Sequence, residues 1–514
     1  MLAPLQDQHV LILGLGASGL AMARWCARAD AQVTVADTRG QPPQLAALQR
    51  DVPSAMFVAG PLDASLLAGG NITTVFKSPG LTPVSVAEVT SNSIANNVHP
   101  TRTSGELGLF SQALVDLKAS HGYAPAVLAI TGTNGKTTVT SLTGQLVERA
   151  GKTVAVAGNI GPTLLDVLTH HLDTDTLPDV WVIELSSFQL DALNSDDGFE
   201  PAAATVLNIT QDHLDWHGSL PAYAAAKARV FGKTALMLLN RDDPLVMAML
   251  PAVSTAGRVK DRRPQREHIT FGADMPQRPG DFGIEEVNGM LWLVRAQDAD
   301  ETKRRRNEEA EELHIQRLMP ADALRIRGRH NAVNALAALA LASAAGCALA
   351  PSVFGLREYR GEPHRVQSIG IVNEVEFFDD SKGTNVGATV AALNGLGPDR
   401  KVIVILGGDG KGQDFSPLAD PVQRYVRAVV LIGRDAALIR DALQLTSVPL
   451  FDVATMEDAV VQANVCAKGG DAVLMSPACA SLDMFDNYGH RASVFVAAVS
   501  QLATASGVGL EGTA

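Results

Sequence analysis

Cysteine is scarce in this chain: four residues in 514, at positions 26, 347, 466 and 479, with no two forming a C-x-x-C pair. That scatter excludes a disulfide scaffold and a thiolate-held zinc cluster, and it suits a reducing cytoplasm, which is the expected location. No apolar run is long enough to span a bilayer. The opening MLAPLQDQHVLILG has no basic start ahead of its short apolar stretch, so neither a leader nor stable membrane association is expected. Positive charge is the minority sign, and the formal net charge of −13 argues against a general nucleic-acid binder. It leaves room for a local basic cleft that takes anionic substrates. Charged residues make up only 19% of the chain and apolar ones 46%, which excludes disorder and allows several buried cores. A chain of this length exceeds one ordinary domain, and about three are expected.

Short β-branched runs alternate with Ala- and Leu-rich stretches, the pattern of an α/β chain whose mostly parallel sheets are covered by helices. Three runs read as first strands that pass directly into glycine turns: residues 9–13, 126–130 and 401–406. They divide the chain into a Rossmann-like block at 1–113, a central nucleotide-binding block at 114–360 and a second Rossmann-like block at 361–514. Two segments break the pattern. Residues 86–100 are polar and Asn-rich and read as a loop. Residues 255–325 read as a solvated surface insertion, because the basic run from Lys303 to Arg306 is cancelled by the acids that follow it to Glu312.

The strongest chemical signal is Thr131-Gly132-Thr133-Asn134-Gly135-Lys136-Thr137-Thr138, set between an apolar strand and a helical stretch. Its glycines let backbone N–H groups face an anion, and the following helix N-terminus adds positive potential. Lys136 is then expected to reach the β- and γ-phosphates of ATP, and the Thr137 hydroxyl a magnesium ion. The general phosphate loop carries glycine where this chain has Ile130. Glu184 closes the strand 180–183, at the edge where α/β sheets bind ligands, and is a candidate magnesium ligand. The first block carries Gly14-Leu15-Gly16-Ala17-Ser18-Gly19, with Asp37 at the spacing of a ribose-binding acid. Alone, that pattern implies an NAD-dependent dehydrogenase. Its turn and helix N-terminus accept any diphosphate, however, and a dehydrogenase leaves the phosphate loop unexplained.

The variant T-G-T-N-G-K-T resembles the Mur ligases and the related folylpolyglutamate synthetases, and further motifs extend the likeness over nearly the whole chain outside 255–325. Asp212-His213 and, downstream, Tyr223-Ala224-Ala225-Ala226-Lys227 resemble the Mur element in which the histidine helps to hold a second magnesium ion and the lysine is carbamylated. The resemblance implies ATP and two Mg²⁺ as cofactors, with Thr137, Glu184, His213 and carbamylated Lys227 at the metals. It places Asn331, Asn334, Arg365 and Asp380 with residues 132–138 at ATP, although Asn331 alone reads as a helix cap. Lys136, Glu184, His213, Lys227 and Arg365 would be the catalytic set. A UDP-linked muramoyl-L-alanine substrate would lie along Ala17, Ser18, Asp37, Thr38, Arg39, Ser78, Pro79, Gly80, Asn159 and His213.

Asp380-Ser381-Lys382-Gly383-Thr384-Asn385, Gly407-Gly408-Asp409-Gly410-Lys411 and Ser476-Pro477-Ala478-Cys479-Ala480-Ser481-Leu482 each follow a strand. The resemblance assigns Lys382, Thr384, Lys411, Ser481, Leu482 and Tyr488 to D-glutamate, in the manner of the members that add that amino acid. The D-N-P-R grip of the diaminopimelate-adding members is absent from the sequence. The implied protein acts as a monomer on small molecules, without a nucleic-acid partner. A folate-type ligase would have no use for the first block's diphosphate loop. A regulator that binds UDP-sugar and ATP without turnover is the reading from outside enzymology.

Overall fold

The computed structural model describes residues 5–67, 71–90, 102–252, 266–299, 313–398 and 400–509. Three sheets follow one another along the chain. The first has five parallel strands in the order Met56–Ala59, Gln32–Asp37, His9–Leu13, Ile72–Lys77, Arg102–Ser104. Strand order reverses between His9–Leu13 and Ile72–Lys77, which is where a sheet of this kind opens a crevice for ligand. The third sheet has six strands in the order Gln367–Val372, Val375–Asp379, Ala472–Met475, Val402–Gly407, Val426–Ile432, Leu450–Asp452. All its pairings are parallel except the hairpin of its first two strands. That hairpin corrects the expectation that the run at 401–406 opens the third block.

The central sheet has nine strands, with Ala126–Thr131 between Ala203–Val206 and Val180–Glu184. Here the surface insertion expected at 255–325 is overturned for its described part. Leu236–Asn240 pairs in parallel with His268–Phe271, which pairs with Phe282–Val287. Met290–Asp298 and Leu313–Pro320 then add antiparallel strands. Phe271, Phe282, Leu293 and Met319 are buried in the same core as the phosphate-loop strand. A local signal was present: Asn288 and Gly289 both take positive φ, the two-residue turn that an Asn-Gly pair favours. The charged run Lys303–Glu312 lies outside the described residues. The polar segment at 86–100 also differs from expectation, because helix Pro83–Thr90 takes in its first part and residues 91–100 lie outside the described residues.

From Ala335 to Ala342, helix Arg329–Ala344 is apolar on every side and buried, as a helical stretch with no polar face must be. Its alanines pack it against helix Lys136–Arg149, which starts at the phosphate loop. Helix Glu106–His121 runs unbroken through residue 114. Its Phe110 meets Trp181 of the central sheet edge-on at 4.9 Å, so the first and central blocks share a core. The four cysteines are free thiols. Among the described residues no helix is long and apolar enough to cross a membrane.

Phe282 has no exposed surface. Phe282→Ala is therefore expected to cost about 3–5 kcal/mol in urea denaturation; a loss within about 0.5 kcal/mol would return this segment to the surface.

Candidate active site

The phosphate loop leaves the carboxyl end of a central strand and turns on Gly132 (φ 151°) and Gly135 (φ 82°), conformations that L side chains rarely adopt. A Cβ on Gly135 would lie 2.8 Å from the Asn334 side-chain oxygen, so glycine also lets Asn334 close on the loop. Lys136 is curled back: its Nζ donates to the carbonyls of Gly132 and Thr133, each at 2.8 Å. Burial pushes its pKa down. Thr138, Asn331, Asn334, Arg365 and Asp380 line a cavity of about 200 Å³ beside the loop. Asn331 is not a helix cap. The N-cap is Gly328, while Asn331 donates to Arg327 O at 2.8 Å and accepts from Asn334 at 3.1 Å.

Glu184 is buried, and one carboxylate oxygen accepts from Asn159 Nδ2 at 2.8 Å. The other is buried with no hydrogen-bond donor among the described residues. An unmatched carboxylate oxygen is costly, and it is the donor type that a hard cation takes. Thr137 stands in the first turn of the helix that follows strand Ala126–Thr131, and Glu184 ends the neighbouring parallel strand, so a hydroxyl and a carboxylate at the same sheet edge offer the donors that fit a magnesium ion. Among the described residues no cluster of three or more His, Cys, Asp or Glu is preformed. A cation that keeps waters and shares its ligands with substrate phosphates matches that sparse set.

Lys227 is almost fully buried in helix Leu220–Ala228. Its Nζ donates to Gly132 O at 2.9 Å and Thr131 Oγ1 at 3.3 Å, and lies 4.7 Å from the Tyr223 ring centroid. Burial first, and then the Lys136 charge, hold its pKa well below that of an ordinary lysine. His213 sits with its Nε2 3.7 Å from Asp212 Oδ2 and its ring against Phe188. Burial lowers its pKa as well.

The third block reaches into this site. The Thr137 hydroxyl accepts from Arg365 Nη2 at 3.1 Å and lies 3.3 Å from Lys382 Nζ. Asn385 pairs with Asn134, its amide donating at 3.0 Å, and Lys411 Nζ is 2.9 Å from Asp212 Oδ1. Burial opposes the charged form of Asp212, but Lys411, His213 and Lys136 outweigh it and hold the carboxyl below its usual range. Strands Val375–Asp379, Ala472–Met475 and Val402–Gly407 are neighbours, so the loops carrying Lys382, Ser481 and Lys411 leave the sheet side by side. The Thr384 amide donates to Lys382 O, Ser481 is buried and Leu482 is exposed. Lys382 Nζ lies 5.7 Å from the Tyr488 ring centroid.

The residues expected to bind a UDP group gather at the switch point of the first sheet. Leu15 N donates to Asp37 Oδ2 at 2.7 Å, and Arg39 donates to the same carboxylate through Nε and Nη2. The Arg39 bonds hold the Asp37 carboxyl far below the usual range, against the effect of burial. Ser78 Oγ donates to Gly14 O at 2.8 Å, ahead of Pro79 and Gly80, and Thr38 lies between Asp37 and Arg39. A Cβ on Gly19 would fall 2.1 Å from Gly14 O, so only glycine lets helix Ala17–Arg28 start against the turn, with Ala17 and Ser18 in its first turn. Asn159 lies apart from this group, at Glu184.

Sequence reasoning passed over Asp212, the anion that Lys411 and His213 both face, and Asn385, which binds the phosphate loop across the blocks. Each adjoins a residue that was singled out, His213 and Thr384, and neither has a side chain whose role a linear motif reveals.

Asp380 accepts from Ser476 Oγ at 2.6 Å, and burial pushes its pKa up to about 7. Because the folded pKa is raised, its contribution is fully present below the ordinary carboxylate pKa and is lost as pH rises through about 7. Asp380→Asn is expected to shrink the loss of stability between pH 4 and pH 8 in urea titrations. An unchanged loss would contradict the assignment.

Three family models match successive parts of the chain: a Mur ligase MurD-like N-terminal domain at 8–97, a Mur ligase middle domain at 130–342 and a Mur ligase glutamate ligase domain at 364–479. The UDP-N-acetylmuramoylalanine–D-glutamate ligase of Albidiferax ferrireducens is 71% identical over 511 residues, covering 99% of each chain. The enzyme of the same name from Cupriavidus pinatubonensis is 55% identical over 521 residues, covering 99% of this chain and all of the relative. Among solved structures, a UDP-N-acetylmuramate–alanine ligase from Thermotoga maritima aligns at TM-score 0.53 with 19% identity, over 96% of this chain and 100% of that one. A MurF ligase from the same organism, in complex with ADP, aligns at TM-score 0.54 with 13% identity, over 98% and 97%. These two share the fold. With family models along all three blocks and relatives matched end to end, the chain belongs to the Mur ligase family, whose members form a peptide bond in an ATP-dependent reaction.

Proposed function

We propose that this chain joins D-glutamate to the L-alanine carboxylate of UDP-N-acetylmuramoyl-L-alanine, with ATP converted to ADP and phosphate, in cytoplasmic peptidoglycan precursor synthesis. The observation that carries the reading is the meeting of the third and central blocks at one cleft: Arg365 and Lys382 on Thr137, and Lys411 on Asp212. The relatives named D-glutamate ligases, matched over 99% of the chain, support the choice of acceptor.

In this reading a carboxylate oxygen of the bound muramoyl-alanine attacks the γ-phosphorus, and ADP leaves. Lys136, uncurled from the Gly132 and Thr133 carbonyls onto the phosphates, and Arg365 offset the charge that spreads over the transferring group. The amine of D-glutamate then attacks the acyl carbon and expels phosphate, losing a proton as the amide forms. Lys382, Thr384, Lys411, Ser481, Leu482 and Tyr488 hold that amino acid. Lys411 leaves Asp212 for the incoming carboxylate. Water must be kept from the acyl phosphate, and closure of the third block over the loop does this. Asp37, Thr38, Arg39, Ala17, Ser18 and Ser78–Gly80 hold the UDP end, and Asn159 and His213 the reacting end.

Thr137, Glu184, His213 and a carbamylated Lys227 would hold two magnesium ions, which when bound supply the positive charge that lets ATP and a carboxylate approach. The depressed pKa of Lys227 favours the neutral amine, the form that combines with CO₂. The division at 1–113, 114–360 and 361–514 and a monomeric state belong to the same proposal. In crystals grown with bicarbonate, density at Lys227 should continue past Nζ as a planar carboxylate. Density that stops at the amine would contradict carbamylation.

Phosphate release with ATP, Mg²⁺ and UDP-N-acetylmuramoyl-L-alanine tests the function, with D-glutamate, L-glutamate, diaminopimelate or L-lysine offered separately. Release with D-glutamate alone is expected. Release with another amino acid would keep the chemistry and overturn the acceptor.

A further inference from the structure

Arg491 is a cation that the proposed reaction does not use, and only 1% of its surface is exposed. It stands in the first turn of helix Tyr488–Ala505, three residues after Tyr488 and so on the same face. Its guanidinium reaches two backbone carbonyls from other parts of the third block. Nη2 donates to Ser381 O at 2.8 Å and Nη1 to Cys479 O at 3.1 Å. Its Nε is buried with no acceptor among the described residues. Burial pushes its pKa down to about 10, against Cys479 and the carboxylates of Asp483, Asp379 and Asp380, so the group is charged at neutral pH. A buried charge with an unmatched N–H is costly, and an apolar side chain of similar length would avoid that cost. What arginine supplies here is a planar fork whose two ends fix two loops at one spacing.

The two carbonyls lie where the sheet no longer holds the chain. Strands Val375–Asp379 and Ala472–Met475 are paired as far as Asp379 and Met475. One residue further, Asp380 still bonds to Met475 O and Ser476. Ser381, held by Arg491, directly precedes Lys382, and Cys479 comes two residues before Ser481. The Lys411 loop joins the same frame through paired backbone bonds between Asp409 and Ala480, at 2.8 and 3.0 Å. Ser381 also donates to Asp379, whose other oxygen is 2.7 Å from His364, the neighbour of Arg365. We propose that Arg491 is a positioning residue for the amino-acid acceptor: its guanidinium holds the loops of Lys382 and Ser481 at a fixed spacing against the helix turn that carries Tyr488. This rests on the reading of those three residues as the ones that hold D-glutamate. A shift of about 1 Å among them is enough to weaken a small ligand that must touch all three.

The test uses the full chain with Arg491→Met, Arg491→Lys, Lys382→Ala and Ser481→Ala. KM is measured for all three substrates, together with kcat and Tm. Arg491→Met keeps the length of the side chain and removes its donors. It should raise KM for D-glutamate about tenfold, leaving the values for ATP and UDP-N-acetylmuramoyl-L-alanine within about twofold. Arg491→Lys, whose single ammonium cannot span both carbonyls as the fork does, should fall between Arg491→Met and the native chain. If Arg491→Met does not fold, Arg491→Lys is read by the same selectivity. An unchanged KM for D-glutamate, or an equal rise for all three substrates with a lowered Tm, overturns the proposal. If Lys382→Ala and Ser481→Ala both take D-glutamate as the native chain does, the reading of the acceptor site falls and the proposal falls with it. A raised KM for D-glutamate in those two variants without one in Arg491→Met sinks the proposal alone.

Discussion

The rest of the structure depends on a concentration of positive charge around one loop. Lys136 and Lys227 both donate to Gly132 O, and Arg365 and Lys382 both reach the Thr137 hydroxyl. Burial and mutual repulsion depress the pKa of three of these groups, Lys136, Lys227 and Lys382. Glu184 and Asp212 are the carboxylates set against them. Like charges held this close in a dry site are unfavourable until anions arrive, and a nucleoside triphosphate and a carboxylate are what would relieve them. In a chain with a net charge of −13, this local excess is the clearest mark of what the cleft is built to receive.

The same charges explain why the central and third sheets must face each other. The phosphate loop supplies backbone donors at the end of a central strand, yet the groups that complete its surroundings come from the other side of the cleft. The chain between them, from Gly361 to Val366, carries left-handed φ at Gly361, His364 and Val366. For a β-branched residue such as Val366 that conformation is uncommon. It directs Arg365 onto Thr137 within a few residues of the link. On the opposite side, the first block shares a core with the central one. The cleft is therefore fixed on one wall and bridged on the other by polar bonds that substrate can replace.

Much of this was legible in the sequence, where local patterns and tertiary roles agree. The apolar run at 126–130, the glycines of the phosphate loop and Lys136 form a strand, a turn and a helix start in the structure. The switch-point turn at Gly14–Gly19 likewise follows from local sterics. The surface reading of 255–325 failed because the conspicuous charges at 303–312 outweighed Asn288-Gly289 and the apolar residues around it, which complete the central sheet. Pairings across blocks were also out of reach. Nothing near Lys411 in the sequence indicates that its partner is Asp212, and nothing near Lys136 indicates that it folds back on its own loop. The first contact joins residues 199 positions apart, and the second, though only three and four residues long, depends on the shape of the folded loop.

The central claim is that the muramoyl carboxylate and the γ-phosphate of ATP meet at this loop and exchange an oxygen-bound phosphoryl group. The direct test is to label both oxygens of the UDP-N-acetylmuramoyl-L-alanine carboxylate with ¹⁸O and analyse the phosphate released on adding ATP, Mg²⁺ and D-glutamate. The account predicts one ¹⁸O in each phosphate, because the attacking carboxylate oxygen leaves with the phosphorus. Phosphate free of label would contradict it.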